Sequence, residues 1–463
     1  MTRSDAISAA QSTLDSGDFV AELARLVAIP TESQHPRGAP ALARYLEEAM
    51  RPRLEALGFA CRIVANPIEG AGPFLIAERR EGDDLPTVLT YGHGDTVMAQ
   101  EDRWREGLSP WVLTEEGDRL YGRGTADNKG QHLVNLTALE AVLAARGRLG
   151  FNIRVVIETG EETGSPGLGA LFRAEREALT ADVLIASDGP RLGADRPTLF
   201  FGARGGVTMD LSVDLREGAH HSGNWGGLLA DPGLILAHAL ACVTDANGAI
   251  RIPEWRPDSL SNSVRAALAD LEIEAPAEGP AIDAGWGEPG LTAAEKVFGW
   301  NSFCVLAYVC GEPERPVNAI QPRASARVQL RFVVGTDRDD VAPALRRWFD
   351  AHGFDMVEVR ETERNHFTAT RLDPDDPWAQ WAAASVARTT GRRPALLPNL
   401  GGSLPNEEFA HVLGMPTIWV PHSYAGCSQH APDEHALKPI LREGLGMMAG
   451  LWWDLGEPGV PGR

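Results

Sequence analysis

Cysteine is scarce in this 463-residue chain, and lysine scarcer still. The five cysteines (Cys61, Cys242, Cys304, Cys310 and Cys427) are scattered, odd in number and never spaced Cys-x-x-Cys. Neither a disulfide framework nor a thiolate metal site is indicated. Lysine occurs only at Lys129, Lys296 and Lys438 while arginine is abundant, a bias we read as one of coding rather than function. Positive charge is short overall, since 43 basic against 64 acidic residues leave a formal net charge of −21. That balance argues against nucleic acid and anionic membrane surfaces as partners, because both repel a strongly negative protein. No run approaches the 18 apolar residues of a membrane-spanning helix, and residues 1–17 lack the apolar stretch of a secretory leader. A cytoplasmic location is the expectation.

What is present is the composition of an ordinary globular protein, with 43% hydrophobic and 23% charged residues. The length exceeds the usual ceiling for one core, so two domains are expected, and no internal repeat or low-complexity tract is seen. Apolar spacing predicts a helix over residues 19–28 and another over 41–57, with a kink or break at Pro52. Strands are predicted at 86–91, 152–157, 181–186 and 415–420, and helices at 131–145 and 378–388. From about Gly202 the texture changes. Residues 207–213 and 325–334 alternate apolar and polar, as half-buried antiparallel strands do; 231–242 and 341–351 read as helices, and 275–290 as an exposed loop. The predicted class is α/β. A mostly parallel-sheet domain, residues 1–201 and 369–463, is interrupted by a smaller α+β domain, residues 202–368.

The stretch around which the chain is organised is Glu158-Thr159-Gly160-Glu161-Glu162-Thr163-Gly164-Ser165, at the end of the strand predicted for 152–157. Adjacent carboxylates repel, and in an open α/β sheet strand ends are where ligands bind. The pair makes sense if one carboxylate holds a cation and the other handles a proton; exposed turn residues are the plainer reading. His93 and Asp188 also lie just beyond predicted strands, so a mostly parallel sheet brings them to the same edge. His93, Asp127, Glu162, Asp188 and His430 are the nitrogen and oxygen donors a borderline divalent ion prefers. Five donors exceed one tetrahedral site with an open position. They suit two ions sharing a carboxylate at about 3.5–4 Å separation.

Five motifs stand in order: His93-Gly94-Asp95, Gly124-Thr125-Ala126-Asp127-Asn128-Lys129-Gly130, Glu161-Glu162-Thr163-Gly164-Ser165, Asp188, and His430-Ala431-Pro432-Asp433-Glu434. Together they resemble the co-catalytic di-zinc metallopeptidases that include carnosinase, glutamate carboxypeptidase, aminoacylase, acetylornithine deacetylase and succinyl-diaminopimelate desuccinylase. The resemblance implies that the parallel-sheet domain is catalytic and the inserted one a lid and dimerisation domain. It further implies that Asp127 bridges two ions, His93 and Asp188 completing one site, Glu162 and His430 the other. Zinc is the expected metal, with manganese or cobalt also compatible. Asp95 resembles the carboxylate that orients the histidine ligand, and Glu161 the general base that takes a proton from a water shared by the ions. His422 and His435 have no place in the pattern and are expected to be structural.

The inserted segment extends the likeness. Ala219-His220-His221-Ser222-Gly223 resembles a loop whose histidine enters the opposite subunit of a homodimer, which would make His221 an oxyanion stabiliser. Asn318, Arg331 and the Gly401-Gly402-Ser403 turn resemble substrate-binding positions, with Arg331 as the clamp on a substrate carboxylate. Gln321 interrupts the Asn-x-Ile-Pro pattern that Asn318 would open. The expected activity is metal-dependent hydrolysis of a dipeptide or short peptide with a free carboxylate. Deacylation of an N-acyl amino acid is the nearest alternative and a non-catalytic binding relative a remote one.

Overall fold

The computed structural model describes residues 1–273, 280–362 and 367–462. Of the loop expected at 275–290, residues 275–279 lie outside the described residues.

Two large sheets organise the described residues, beside three small ones of two or three strands. The larger has eight strands in the spatial order Ala60–Val64, Phe74–Arg79, Asn152–Glu158, Thr87–His93, Val183–Ala186, Thr417–Trp419, Thr198–Phe200, Ala395–Leu397. Its four central strands, from Asn152–Glu158 to Thr417–Trp419, run parallel. The Ala60–Val64 and Phe74–Arg79 strands add to one side antiparallel. Alternation along the central strands explains why both faces are covered. Ile153, Val155 and Ile157 enter one apolar cluster while Val156 enters the other, and Ile185 and Leu184 divide in the same way. The first cluster packs under the Lys129–Arg146, Pro377–Thr390 and Lys438–Leu455 helices, the second under Leu168–Ala174. The architecture is three-layered α/β with a mostly parallel central sheet, as the sequence predicts.

The smaller sheet is wholly antiparallel, in the order Ser302–Val309, Arg323–Phe332, Gly205–Asp214, Glu358–Glu361. Val207, Met209, Leu211 and Val213 point to one face and meet Leu236 and Ala239 of the Pro232–Val243 helix and Leu345 and Phe349 of Val341–Ala351. The predicted alternation is therefore present on the strands that carry it.

One local expectation is corrected. The helix through Pro52 is not broken there. A π-helical turn over Tyr45–Met50 joins the Ala39–Arg44 helix to Arg51–Ala56, so Pro52 falls in the first turn of the latter. The bond that Pro52 cannot make is taken up by that π-helical turn, in which the Arg51 N–H reaches back to the Leu46 carbonyl. Among the described residues, no helix is long and apolar enough to cross a membrane. All five cysteines are free.

Candidate metal centre

Three of the five candidate donors, His93, Glu162 and Asp188, are delivered by the rim of the large sheet, and loops beside it bring Asp127 and His430. His93 is the last residue of its strand. Asp188 lies two residues beyond Val183–Ala186. Glu161 and Glu162 sit in a 3₁₀ turn after Asn152–Glu158, which closes at Gly164 with φ 88°, a left-handed conformation that favours glycine. Asp127 precedes the long Lys129–Arg146 helix, and a Cβ on Gly130 would lie 2.0 Å from the Thr125 carbonyl oxygen. Only a glycine lets the helix start so close to the turn that carries Asp127.

These loops converge on two donor sets, His93–Asp127–Asp188 and Asp127–Glu162–His430, with Asp127 common to both. His93 Nε2 lies 2.9 Å from Asp127 Oδ1 and 3.6 Å from Asp188 Oδ2. His430 Nε2 lies 2.9 Å from Asp127 Oδ2 and 3.1 Å from Glu162 Oε2. The two sets differ in access, because the His93 side chain is 0% exposed and that of His430 55% exposed.

The donor chemistry fits divalent metal. Glu162 Oε1 and Asp188 Oδ2 are buried and have no hydrogen-bond partner, a costly state for carboxylate oxygens unless a cation answers them. Burial, followed by the charge of Asp127, raises Glu162 to about 7 and Asp188 to about 6. Glu161 is raised well above the usual carboxylate range by burial and by Glu162, Asp188 and Asp127, against the opposing charge of His93. Asp127 moves the other way. Burial opposes it, but hydrogen bonds from His430 and His93 hold it below the usual value. Burial alone would depress His93, yet the Asp127 and Asp95 contacts and the Asp188 charge leave it well above its ordinary value. His430 is pushed up to about 11 by Asp127 and Glu162. A dication at either donor set would relieve the same repulsion.

Asp95 does more than its sequence motif suggests. Its Oδ1 lies 3.3 Å from His93 Nδ1, and the Asp95 backbone oxygen is 3.1 Å from the same nitrogen. Its carboxylate also accepts the backbone N–H groups of Glu161 (3.2 Å) and Glu162 (3.1 Å). One buried side chain thus faces the His93 ring and fixes the turn that carries Glu161 and Glu162.

A cavity of about 610 Å³ opens on Asp127, Glu161, Asp188 and His430 and extends to Arg331, Gly401, Gly402 and Ser403. Arg331 Nη1 donates to Ser403 Oγ at 3.3 Å. Asn318 and His221 do not line this cavity. Both are exposed and sit together on a separate ribbon, where His221 pairs with Ala319 and Ser222 N donates to the Asn318 carbonyl. His422 is buried against Ser187 and Asn135, and His435 contacts the Tyr424 hydroxyl, so neither joins a donor set.

Sequence reasoning missed three groups. Gln429 Nε2 donates to Asp127 Oδ2 at 2.6 Å, restraining the shared carboxylate. Arg123 and Glu434 form a buried ion pair at 2.6 Å between the Asp127 loop and the His430 loop. Glu158 is fully buried and accepts from Tyr91 (2.6 Å) and Ser165 (2.9 Å) beneath the glutamate turn. Arg123 and Gln429 abut the quoted motifs and Glu434 and Glu158 lie inside them, but nothing in the spacing shows which oxygen meets which donor.

The sequence profile of Peptidase family M20/M25/M40 matches residues 89–454. The chain is 30% identical over 391 residues to a cysteinylglycine-S-conjugate dipeptidase of Corynebacterium striatum, an alignment covering 80% of this chain and 81% of that protein. It is 33% identical over 257 residues to a β-Ala-His dipeptidase of Mus musculus, covering 52% and 51% respectively. Among solved structures, the M20 family metallo-carboxypeptidase Sso-CP2 from Sulfolobus solfataricus superposes with a TM-score of 0.79 at 21% identity, covering 95% of this chain and 99% of that one. That likeness is one of fold.

Proposed function

The chain belongs to peptidase family M20/M25/M40, and from that premise we propose that it hydrolyses the peptide bond of dipeptides with a free carboxylate, using two divalent metal ions. The observation that carries this reading is the single cavity onto which Asp127, shared by two donor sets, opens together with Glu161 and Arg331. His93, Asp127 and Asp188 would hold one ion; Asp127, Glu162 and His430 would hold the other. When bound, such ions supply Lewis acidity for the scissile carbonyl and lower the pKa of a nearby water. Zinc suits this mixture of imidazole and carboxylate donors, and manganese or cobalt are compatible.

The remaining steps belong to side chains. Glu161 belongs to neither donor set, and it faces the cavity with its carboxyl held high. It accepts the proton of the attacking water and returns it to the departing amine. Asp95 keeps that carboxylate in place through the two backbone N–H groups it accepts. Arg331 has no ion pair among the described residues and offers its guanidinium to the substrate carboxylate, with Ser403 and the Gly401–Gly402 backbone alongside.

The reading extends to domains and assembly. Residues 202–368 form the inserted lid and dimerisation unit between the two parts of the catalytic domain, 1–201 and 369–463. A homodimer is supported by Val305, Leu306, Tyr308 and Val309, all exposed on the edge strand Ser302–Val309. His221, exposed and away from its own cavity, would serve the partner's site as an oxyanion donor. Five free cysteines support the cytoplasm.

The test is amino-acid release from a panel of dipeptides and N-acyl amino acids by zinc- or manganese-loaded protein. We expect turnover on free-carboxylate dipeptides, reduced about 10²–10⁴-fold in Glu161→Gln with both ions retained. Turnover confined to acylated amino acids would overturn the dipeptidase reading, and near wild-type rates in Glu161→Gln would overturn the base.

A further inference from the structure

We infer that the carboxyl-terminal residue of the substrate carries a large apolar side chain, accepted by the wall of the cavity next to Arg331; this rests on the dipeptidase reading above. The argument begins with charge. Arg331 and Arg204 are neighbours, and neither has a carboxylate partner among the described residues. Arg204 is buried and spends its guanidinium on the Val297 carbonyl at 3.1 Å and the Ser302 hydroxyl at 2.5 Å. Arg331 is thus the cation on the cavity wall that has no acid, and it fixes where an anion belongs. The substrate carboxylate therefore sits at the Arg331–Ser403 end and the scissile bond at the Glu161 end.

In an α-amino acid the side chain leaves the carbon that bears the carboxylate, so it must meet whatever surrounds that end. Here the surroundings are apolar. Val297 Cγ1 and Phe298 Cε1 lie 3.2 and 3.7 Å from where a Cβ on Gly401 would stand, and Leu400 Cδ2 lies 3.6 Å from the same position on Gly402. Leu404 and Ile273 continue the wall. The one arginine among these lining residues besides Arg331 is Arg191. It is turned away, bonded to Glu443 at 2.5 Å and to the Pro421 carbonyl at 3.1 Å. A leucine, methionine or phenylalanine side chain buries its surface against this wall. An aspartate or lysine would arrive without a partner, and glycine would leave the wall unfilled.

The experiment compares Ala-Leu, Ala-Gly, Ala-Asp and Ala-Lys in two ways. In wild-type, zinc-loaded protein we expect kcat/KM for Ala-Leu to exceed that for Ala-Gly by about 100-fold, the scale of a few methylenes in an apolar pocket. Calorimetric binding to zinc-loaded Glu161→Gln should rank the four dipeptides in the same way, with Ala-Leu at least about tenfold tighter than Ala-Gly. Val297→Asp should erase the leucine preference and favour Ala-Lys. Equal kcat/KM for Ala-Gly and Ala-Leu, or equal binding, overturns the apolar pocket while leaving the dipeptidase reading intact. Preferential binding of Ala-Leu without cleavage of any dipeptide keeps the pocket and overturns the dipeptidase reading instead.

Discussion

Glu434→Gln is the perturbation that most directly tests how the shared ligand is held. Glu434 is fully buried, and its Oε1 accepts three backbone N–H groups, from Gly124 (3.0 Å), Ala126 (2.9 Å) and Asp127 (3.0 Å). Its Oε2 accepts from Arg123 Nη1 at 2.6 Å, and Arg123 Nη2 donates to the Ala431 carbonyl at 3.0 Å. One carboxylate thus ties the backbone of Asp127 to the loop that carries His430. Glutamine keeps the volume, but its NH₂ must face either Arg123 or the three N–H groups, and each offers only donors. It also leaves a buried guanidinium without its counter-charge, for which about 3–5 kcal/mol of destabilisation is expected. With an unfolding entropy of about 2 cal/mol/K per residue, a chain of 463 residues should lose about 3–5 °C in Tm. The assay pairs thermal unfolding with metal content after dialysis. We expect the Tm to fall and the Asp127–Glu162–His430 ion to be lost before the other. Removing both charges together, as in Arg123→Met with Glu434→Leu, should cost less than the sum of the single changes. A Glu434→Gln protein that melts within about 1 °C of wild type and holds two ions would refute the reasoning.

Three further outcomes follow from the same geometry. Titration with a chelator should remove the ions in two steps, the His430 set first, because its imidazole is 55% exposed while the His93 side chain is 0% exposed; simultaneous loss would sink that order. His422 is held well below its ordinary value by burial and then by the Arg191 charge, so below pH 6.5 the unfolded chain binds a proton that the fold refuses. Its contribution to stability is present above pH 6.5 and lost as pH falls, so His422→Gln should gain on wild type by about 1 kcal/mol between pH 6.5 and 5.5 in urea unfolding; parallel pH profiles would show that the fold accepts the proton on His422. His221→Ala should lower turnover with metal content intact, and mixing it with Glu161→Gln should restore partial activity if His221 serves the partner subunit; no recovery would confine it to its own subunit.

Much of this arrangement was legible because two periodicities are explicit in the chain. The near-continuous apolar runs that end in His93, Glu158 and Ala186 mark strands buried on both faces, and in a parallel sheet their ends must meet. The alternation at residues 207–213 and 325–334 marks a sheet with one covered face, and the structure pairs those two strands along Gly205–Asp214 and Arg323–Phe332. The short edge strands were harder to see. Ala60–Val64 carries a mixed burial pattern and depends on pairing with Phe74–Arg79, a long-range choice that local pattern does not encode. The helix continues through Pro52 because the π-helical turn before it takes up the missing bond, an accommodation that local pattern does not show. Residue type and order single out the donors that the structure gathers into two sets. The supporting bonds of Asp95 and Glu434 to backbone N–H groups, and of the Gln429 amide to Asp127, have no spacing signature and are not legible in the chain.

The same contacts explain why the support is so dense. Asp127, Glu161, Glu162 and Asp188 gather four carboxylates around two imidazoles, in a place where burial already penalises each charge. Left to themselves, these loops would relax apart. What opposes that is a set of bonds made by groups that hold no ion: Asp95 to the glutamate turn, Glu434 to the Asp127 backbone, Glu158 to Ser165 and Tyr91. Each fixes a donor residue or the turn that carries Glu161 through neutral N–H and O–H donors, which restrain a carboxylate without neutralising it. The negative field of the two donor sets is thereby left open to a cation, and Glu161 stays close to both sets without joining either. A site held by direct lysine or arginine bridges to its ligands would be more stable empty and weaker toward metal. The one nearby lysine, Lys129, instead donates to the Leu26 and Ile29 carbonyls, and Arg123 reaches Glu434 rather than Asp127.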